Sequence, residues 1–497
     1  MKVSELLHQL SEKGASVTLR GTEGGADPQL LRACFDSREV RPGDLFCALG
    51  GYRTDGRRYL SQALERGAAA FLLQGEENYG SVPQLCLPEA CSPVEVAGLA
   101  GVVAHELLGR PSEALWVGAV TGTNGKSTVV HLLEQAMTAC GVATACGGTL
   151  GLRFQDQEHA IVNTTPPADV LHQWLHEVVK SHGKAVVLEA SSIGLEQGRM
   201  SGVAVDCAAW TNLSHDHLDI HPTMEAYAKA KAAMFLELDS SAVALLPSDA
   251  NLRQLCAETR AQKVVWGCNA HHADLRGNFS FGTSGLRLEI SGLFGEGVIQ
   301  SSLIGQHNAE NLLVAFGMMR AAGISAEAAC HALQSCAAAP GRLQRVVPEF
   351  QAQLYVDYAH SPEALEHVLK ALRNAFPQSR IGVVFGAGGD RDKGKRQPMG
   401  VAAGSHADWC VVTSDNPRGE DPGRIAQAVL EGVESTNCPS VLELDRRHAI
   451  RLAVERLSPG DILLIAGKGH ETYQEIHDVR HPFDDCVELR EAVACLA

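Results

Sequence analysis

The sequence predicts an α/β protein built on parallel sheets and divided into three domains. Three observations carry that reading. Apolar, strand-like runs alternate with longer helical stretches along the whole chain. Each run ends in polar or glycine-rich residues, and open parallel sheets bind ligands at the carboxyl ends of their strands. The 497 residues exceed what one ordinary core accommodates, so two to four domains are expected.

The elements follow in order. Met1 to Gly14 places Glu5, His8, Glu12 and Lys13 among leucines, which reads as a short amphipathic helix rather than a secretory leader. A strand over 115–120 leads into a glycine loop, and one over 185–188 ends at Glu189. The run 207–210 stops before Thr211-Asn212, and 381–385 enters Gly386-Ala387-Gly388-Gly389. The run 409–413 stops before Ser414-Asp415-Asn416-Pro417, and 462–466 before Gly467-Lys468-Gly469-His470. Gly109-Arg110-Pro111 and Pro340-Gly341 punctuate the chain, and Ala337-Ala338-Ala339 reads as a linker. The expected domains are therefore 1–112, 113–339 and 340–497.

Composition narrows the function classes. Apolar residues make up 45%, enough to bury cores and too many for a disordered chain. No apolar run reaches the roughly 18 residues a spanning helix needs, so membrane insertion is not expected. Fifteen scattered cysteines, never spaced C-x-x-C, argue against a zinc ribbon or disulfide framework and for a reducing, cytoplasmic setting. The formal charge of −16, with no basic run, disfavours nucleic acid and anionic membranes as partners.

Thr121-Gly122-Thr123-Asn124-Gly125-Lys126-Ser127 follows a strand and precedes the periodic stretch Thr128–Ala139, the setting of a phosphate loop. There, backbone N–H groups and the helix N-terminus cradle phosphate oxygens, Lys126 adds a point charge and the Ser127 hydroxyl can ligate Mg²⁺. The match is imperfect, since Val120 stands where the first glycine belongs. Glu189 at a strand end can hold Mg²⁺ beside that loop, or be a solvated strand-end glutamate. His217 and Asp219 can ligate a metal or satisfy their loop by hydrogen bonding. Position alone makes Lys231 a solvated helix lysine. Asp415-Asn416-Pro417-Arg418 reads equally as an Asx-Pro turn or as a binding loop.

Taken together, these motifs resemble the Mur ligases of bacterial cell-wall synthesis over essentially the whole chain. The N-terminal part has Asp36-Ser37-Arg38, Pro42-Gly43-Asp44-Leu45-Phe46 and Asp55-Gly56-Arg57. The centre adds Asn163-Thr164-Thr165-Pro166, Glu189-Ala190-Ser191-Ser192, the run from Asn212 to Asp219, and Gly305-Gln306-His307-Asn308. The last third adds Pro340-Gly341-Arg342, Asp357-Tyr358-Ala359-His360, Gly389-Asp390-Arg391-Asp392-Lys393 and Gly467-Lys468-Gly469-His470-Glu471.

The resemblance implies an N-terminal UDP-binding α/β domain, a central P-loop ATPase-like α/β domain and a C-terminal Rossmann-like α/β domain. It implies a monomeric ligase that joins meso-diaminopimelate to the D-glutamate of UDP-MurNAc-L-Ala-D-Glu, consuming ATP with two Mg²⁺ ions through an acyl phosphate. It makes Lys231 a CO₂-derived carbamate that ligates metal with Glu189 and His217, and pairs Ser127 with Glu189 on the metal bridging the ATP phosphates. Residues 121–128, with Thr128 opening the helix, together with Asn308, Arg342, Asp357 and His360, would hold ATP. Ser37, Asn163, Thr164, Thr165, Ser191, Gln197 and Arg199 would hold the UDP substrate. Arg391, Asp415, Asn416, Arg418, Gly467 and Glu471 would hold the amino acid, with Arg418 gripping the second carboxylate that distinguishes diaminopimelate from lysine. His215 receives no role. The rival expectations are a lysine-adding ligase, folylpolyglutamate synthetase, a phosphate-loop switch or transport ATPase, and a degenerate nucleotide-binding scaffold. The N-terminal Asp-Ser-Arg and Gly-Asp-Leu-Phe set argues against the folate enzyme. The joint presence of Lys126, Glu189, His217 and Lys231 argues against the scaffold.

Overall fold

The computed structural model describes residues 1–21, 25–50, 55–75, 79, 82–214, 220–282 and 285–496. The chain forms two compact units: Met1–Arg276 with Gly292–Phe294 and Val314–Ala329, and Gly277–Ser291 with Gly295–Leu313 and Cys330–Ala497.

In the first unit, β1 (Thr18–Arg20), β2 (Ala33–Cys34), β3 (Leu45–Cys47), β4 (Ala70–Gln74) and β5 (Gln84–Leu87) form a sheet in the order β1-β5-β4-β3-β2. Strands β2 to β5 are parallel, and β1 runs antiparallel to β5. The amphipathic N-terminal helix spans Val3–Glu12, and its helical spacing buries Val3, Leu6 and Leu10 in one core with Leu45, Leu72 and Leu85. The helix Pro93–Leu107 adds Val96, Ala100 and Val103 to that core. Its start is fixed by a reciprocal capping box of Ser92 and Glu95, with Pro93 in the first turn.

The same unit contains a larger sheet. Its strands are β6 (Trp116–Thr121), β7 (Thr144–Gly148), β8 (Gly151–Phe154), β9 (Gln157–His159), β10 (Ala185–Glu189), β11 (Cys207–Trp210), β12 (Val243–Pro247) and β13 (Gln262–Cys268). They lie in the order β13-β12-β11-β6-β10-β7-β8-β9, parallel from β13 to β7 and antiparallel through β8 and β9. Strands β10 and β11 are buried along their whole length, which explains their continuous apolar runs. Strand β6 lies one residue later than the expected 115–120. The Leu115 N–H bonds back to Ser112 O in the turn Pro111–Ala114, while Thr121 pairs with Trp210. Strand β10 likewise runs through Glu189, which pairs with Val120.

Strands β14 (Leu275–Gly282), β15 (Gly285–Gly292) and β16 (Gly297–Ser301), which fall mostly in the second unit, lie side by side, with β15 and β16 antiparallel. Strand β15 buries Leu286, Leu288 and Ile290 and exposes Arg287 and Glu289, the alternation of a sheet with one wet face. The main sheet of this unit has β17 (Gln344–Val346), β18 (Gln353–Asp357), β19 (Ile381–Phe385), β20 (Trp409–Val412), β21 (Ser440–Leu442) and β22 (Ile462–Ala466) in the order β17-β18-β22-β19-β20-β21. All but β17 are parallel, the doubly wound pattern expected of the last third. A hairpin of β23 (Tyr473–Ile476) and β24 (Val479–Pro482) follows. No helix among the described residues is long and apolar enough to cross a membrane.

Candidate functional site

The carboxyl end of β6 turns into the helix Lys126–Ala139 through residues 122–125. The helix begins at Lys126, two residues before the expected start, because Gly125 caps it at φ +88°, a conformation glycine adopts without penalty. Gly122 is needed for space as well: a Cβ there would lie 1.9 Å from Thr211 Oγ1. The end of β11 fastens the loop. The Thr211 hydroxyl donates to Asn124 O (2.6 Å), Asn212 Nδ2 donates to the same oxygen (3.1 Å), and Asn124 N donates to Asn212 Oδ1 (3.0 Å). Thr123 N donates to Asn212 O, and its hydroxyl accepts from Ser214 N and Tyr227 Oη. The first-turn N–H groups that lack intrahelical acceptors are therefore held in a fixed mouth that suits an anion.

Lys126 Nζ donates to the carbonyls of Gly122 (2.7 Å) and Thr123 (2.9 Å), so it lies across the loop. Lys231, in the helix Met224–Leu236, is only 1% exposed, unlike the solvated lysine its position alone suggested. Its Nζ donates to Gly122 O at 2.9 Å and sits 4.4 Å from the Tyr227 ring centroid. Two lysines thus converge on one carbonyl of the loop.

Glu189 is buried at the end of β10, next to β6. The Ser127 hydroxyl donates to its Oε2 (2.9 Å), Thr149 N donates to Oε1 (2.8 Å), and the Thr149 hydroxyl donates to Oε2 (3.2 Å). Thr149 follows β7 and was given no role in the sequence reading. The rule applied elsewhere, a polar residue just past a strand, would have found it. A hydroxyl and a carboxylate in contact are hard oxygen donors, and they fit Mg²⁺, which takes few protein ligands and completes its shell with water and phosphate. Among the described residues no group of three His, Cys, Asp or Glu side chains forms a metal site. His217, and with it His215 and Asp219, lies outside the described residues.

Thr164, Thr165, Ser191, Gln197 and Arg199 surround the same strand end. The hydroxyls of Thr149 and Thr164 are 3.2 Å apart, Thr165 Oγ1 donates to Glu189 O (2.8 Å), and Ser191 N donates to Thr165 Oγ1 (3.0 Å). Arg199 Nη1 donates to Thr165 O (2.7 Å), and Nη2 donates to Gln197 Oε1. Ser191 Oγ caps the helix Ser192–Glu196. His221, buried just before the helix Met224–Leu236, lies 3.0 Å from Ser192 Oγ and was also not singled out. Asn163 is exposed, and Ser37 is buried with its hydroxyl donating to Gln62 Oε1 (2.6 Å).

In the second unit, the end of β18 gathers Arg342, Asp357 and His360. Asp357 accepts from Leu343 N (2.7 Å) and Ala359 N (2.8 Å), and burial raises its pKa against the opposing pull of Arg342. The Arg342 guanidinium lies 4.9 Å from the Tyr358 ring centroid, and the His360 ring meets the same ring edge-on at 4.7 Å. Asn308 Nδ2 donates to Ile304 O, opening the helix Gln306–Ala321.

A second cluster lies at the ends of β20 and β22. Asp415 and Asn416 are buried, Asn416 Nδ2 donates to Glu471 Oε2 (2.8 Å), and Lys468 Nζ donates to Asn416 Oδ1 (3.0 Å). Arg418, at φ +50°, donates from Nη1 to Gly389 O (2.7 Å) and pairs with Glu475 at 3.4 Å. Gly467, at φ +117°, leaves room for Asp415: a Cβ there would lie 2.4 Å from Oδ2. Arg391 is exposed on the loop after β19. The cluster combines buried anions, a guanidinium and an amide, which suits a zwitterionic ligand.

Comparison with known proteins identifies relatives along the whole chain. Residues 34–106 match the Mur ligase family catalytic domain, 120–319 the Mur ligase middle domain, and 341–469 the Mur ligase glutamate ligase domain. The UDP-N-acetylmuramoyl-L-alanyl-D-glutamate–2,6-diaminopimelate ligase of Chromobacterium violaceum is 38% identical over 480 residues, covering 94% of this chain and 96% of that protein. The enzyme of the same name from Ectopseudomonas mendocina is 39% identical over 465 residues, covering 93% and 94%. A solved structure of a ligase of that name superposes with a TM-score of 0.71 at 34% identity, covering 94% of this chain and 95% of its own.

Proposed function

This chain belongs to the Mur ligase family, and we propose that it is the ATP-dependent ligase that adds meso-diaminopimelate to the D-glutamate of UDP-MurNAc-L-Ala-D-Glu in peptidoglycan synthesis. The observation that carries the reading is the junction of loop 122–127 with Glu189 and Lys231, beside the Thr165–Ser191–Arg199 cluster. That junction sets a phosphate cradle next to a polar pocket wall.

A carboxylate is a poor electrophile. The dipeptide carboxylate therefore attacks the γ-phosphorus of ATP, ADP leaves, and an acyl phosphate forms. The amine of diaminopimelate then attacks the acyl carbon, loses a proton, and phosphate departs as the amide forms. The loop N–H groups and Lys126 hold the transferring phosphoryl group. Ser127 and Glu189 would hold one Mg²⁺, and Glu189, His217 and a carbamate on Lys231 would hold a second. Bound there, such ions would supply positive charge against the phosphate oxygens. The unmodified Lys231 ammonium would repel a cation, whereas a carbamate offers oxygen.

Asn308, Arg342, Asp357 and His360 contact the nucleotide, with the Tyr358–Arg342 stack offering a flat surface for a base. Ser37, Asn163, Thr164, Thr165, Ser191, Gln197 and Arg199 take the UDP substrate. Asp415, Asn416, Arg418, Gly467 and Glu471, with Arg391 at the rim, take the amino acid. The functional division follows residues 1–112, 113–339 and 340–497, in a monomer working in the cytoplasm. The test is phosphate release by the purified protein with UDP-MurNAc-L-Ala-D-Glu and a panel of amino acids. Release that needs both the nucleotide dipeptide and diaminopimelate supports the reading. Release with ATP alone points to a phosphate-loop ATPase, and a preference for L-lysine moves the specificity.

A further inference from the structure

Lys468 is fully buried at the end of β22, in a motif whose neighbours Gly467 and Glu471 were assigned to the amino acid while Lys468 was not. Its Nζ donates to Asn416 Oδ1 (3.0 Å) and Glu471 Oε2 (3.3 Å), and lies 5.6 Å from the Tyr473 ring centroid. Glu475 N donates to the same Asn416 Oδ1 at 2.9 Å. Asn416 Nδ2 donates to Glu471 Oε2 at 2.8 Å.

Donor and acceptor chemistry leaves this amide one orientation. An ammonium and a backbone N–H can only donate, so the atom they share must be the carbonyl oxygen; a carboxylate can only accept, so its neighbour must be the NH₂. Both acceptor positions of Oδ1 are filled, and one of the two Nδ2 hydrogens is spent on Glu471. Asn416 has a single N–H left to offer. Beside it, Asp415 Oδ2 is buried without a hydrogen-bond partner among the described residues. A buried carboxylate oxygen left in that state is costly, and a ligand donor would satisfy it.

We propose that Lys468 is a positioning residue that sets the polarity of this pocket: by occupying Asn416 Oδ1 it makes Asn416 a donor for a ligand carboxylate and leaves the neighbouring ammonium to Asp415. The inference rests on reading the cluster as the amino-acid site, and it deepens that reading by assigning the two charged groups of one amino-acid end to different side chains. Without Lys468 one of the two donors that fix the Asn416 oxygen is lost, and only the Glu475 N–H and the Glu471 carboxylate still hold the amide in this orientation.

The test is Lys468→Met, with Asn416→Ala and the double variant, each checked for folding by its melting temperature. Lys468→Met should raise KM for diaminopimelate about tenfold or more, the scale of a hydrogen bond to a charged group, with KM for ATP and the nucleotide dipeptide within about twofold. Because Lys468 acts through Asn416, the double variant should be no worse than about twofold beyond Asn416→Ala. An unchanged KM for diaminopimelate, or losses that multiply in the double variant, overturns the proposal. Should the methionine variant fail to fold, the isosteric Asn416→Asp decides: it should weaken diaminopimelate far more than lysine, which lacks the second carboxylate, and equal losses overturn the assignment. A wild type that never uses diaminopimelate refutes the functional reading itself, whereas an active wild type with an indifferent Lys468→Met refutes only this inference.

Discussion

Adding one methyl group at Gly148 should disable the site through Glu189. Gly148 ends β7 against that side chain, and a Cβ there would lie 2.2 Å from Oε1, 2.5 Å from Cγ and 2.6 Å from Cδ. Carbon and oxygen do not approach that closely, so the carboxylate must retreat by about 1 Å. Thr149 N and Ser127 Oγ now hold it at 2.8 and 2.9 Å. Such a retreat stretches both contacts to about 3.8 Å, beyond bonding range. Each lost bond to a buried carboxylate costs roughly 1.5–3 kcal/mol. A shift of this size at a reacting centre costs on the order of 10²-fold in rate. Gly148→Ala should therefore lower kcat for ADP formation about 10²-fold and lower the melting temperature by several degrees. Gly98→Ala is the control: it lies in the helix Pro93–Leu107, and its Cβ would meet only Ser201 Oγ at 3.5 Å. That variant should keep full turnover and gain up to ~1 kcal/mol from helix propensity. A Gly148→Ala enzyme with kcat within about twofold of wild type would refute the placement of Glu189 at the reacting centre.

Four further outcomes are expected. Lys126→Ala should abolish ligation, by about 10²-fold or more, while equilibrium binding of the UDP dipeptide stays within a few-fold, measured by calorimetry. Lys231→Ala should be nearly inactive and partly rescued by small carboxylic acids, and native mass measurement of the wild type in bicarbonate should find one added CO₂ that the variant lacks. Arg418→Ala should lower kcat/KM for diaminopimelate about 10²-fold and that for lysine far less, because only the former has the distal carboxylate that a guanidinium grips. Burial depresses His105, His172 and His470 to about 4 and His307 to about 3, from 6.5. Unfolded, these rings take up protons below about pH 6.5 that the folded protein excludes, so their stability contribution is complete above that pH and is lost as pH falls toward 4. Asp169, raised by burial to about 6, acts in the opposite sense between roughly pH 4 and 6 but is outnumbered. The melting temperature should therefore fall between about pH 7 and about pH 5, followed by calorimetry.

Much of this was legible in the chain because parallel-sheet strands are buried on both faces and read as continuous apolar runs. The runs at β11, β19 and β22 have the bounds expected from sequence. Strand β6 was displaced by one residue because a turn claims the Leu115 N–H, a tertiary detail that hydrophobicity does not encode. The loop between β6 and the helix Lys126–Ala139 was visible from residue types and order. The burial of Lys231 was not, since its helix, Met224–Leu236, buries Tyr227, Ala228 and Ala232 beside that lysine and carries no clear amphipathic signal around it. His221 and Lys468 escaped because their roles depend on partners 29 and 52 residues away. No local pattern announces such pairings. The buried Arg446 is of the same kind: it donates to Asp485, Ser414 O and Ala466 O, tying the ends of β20 and β22 from a helix that looks ordinary in sequence.

The central claim is that this site makes an amide through an acyl phosphate, and isotope transfer tests it most directly. UDP-MurNAc-L-Ala-D-Glu is labelled with heavy oxygen in the D-glutamate side-chain carboxylate and incubated with the enzyme, ATP, Mg²⁺ and diaminopimelate, and the released phosphate is analysed by mass. An acyl phosphate carries one labelled oxygen from the carboxylate into each phosphate released, matched one for one by new amide. Phosphate released without label while amide accumulates would contradict the account.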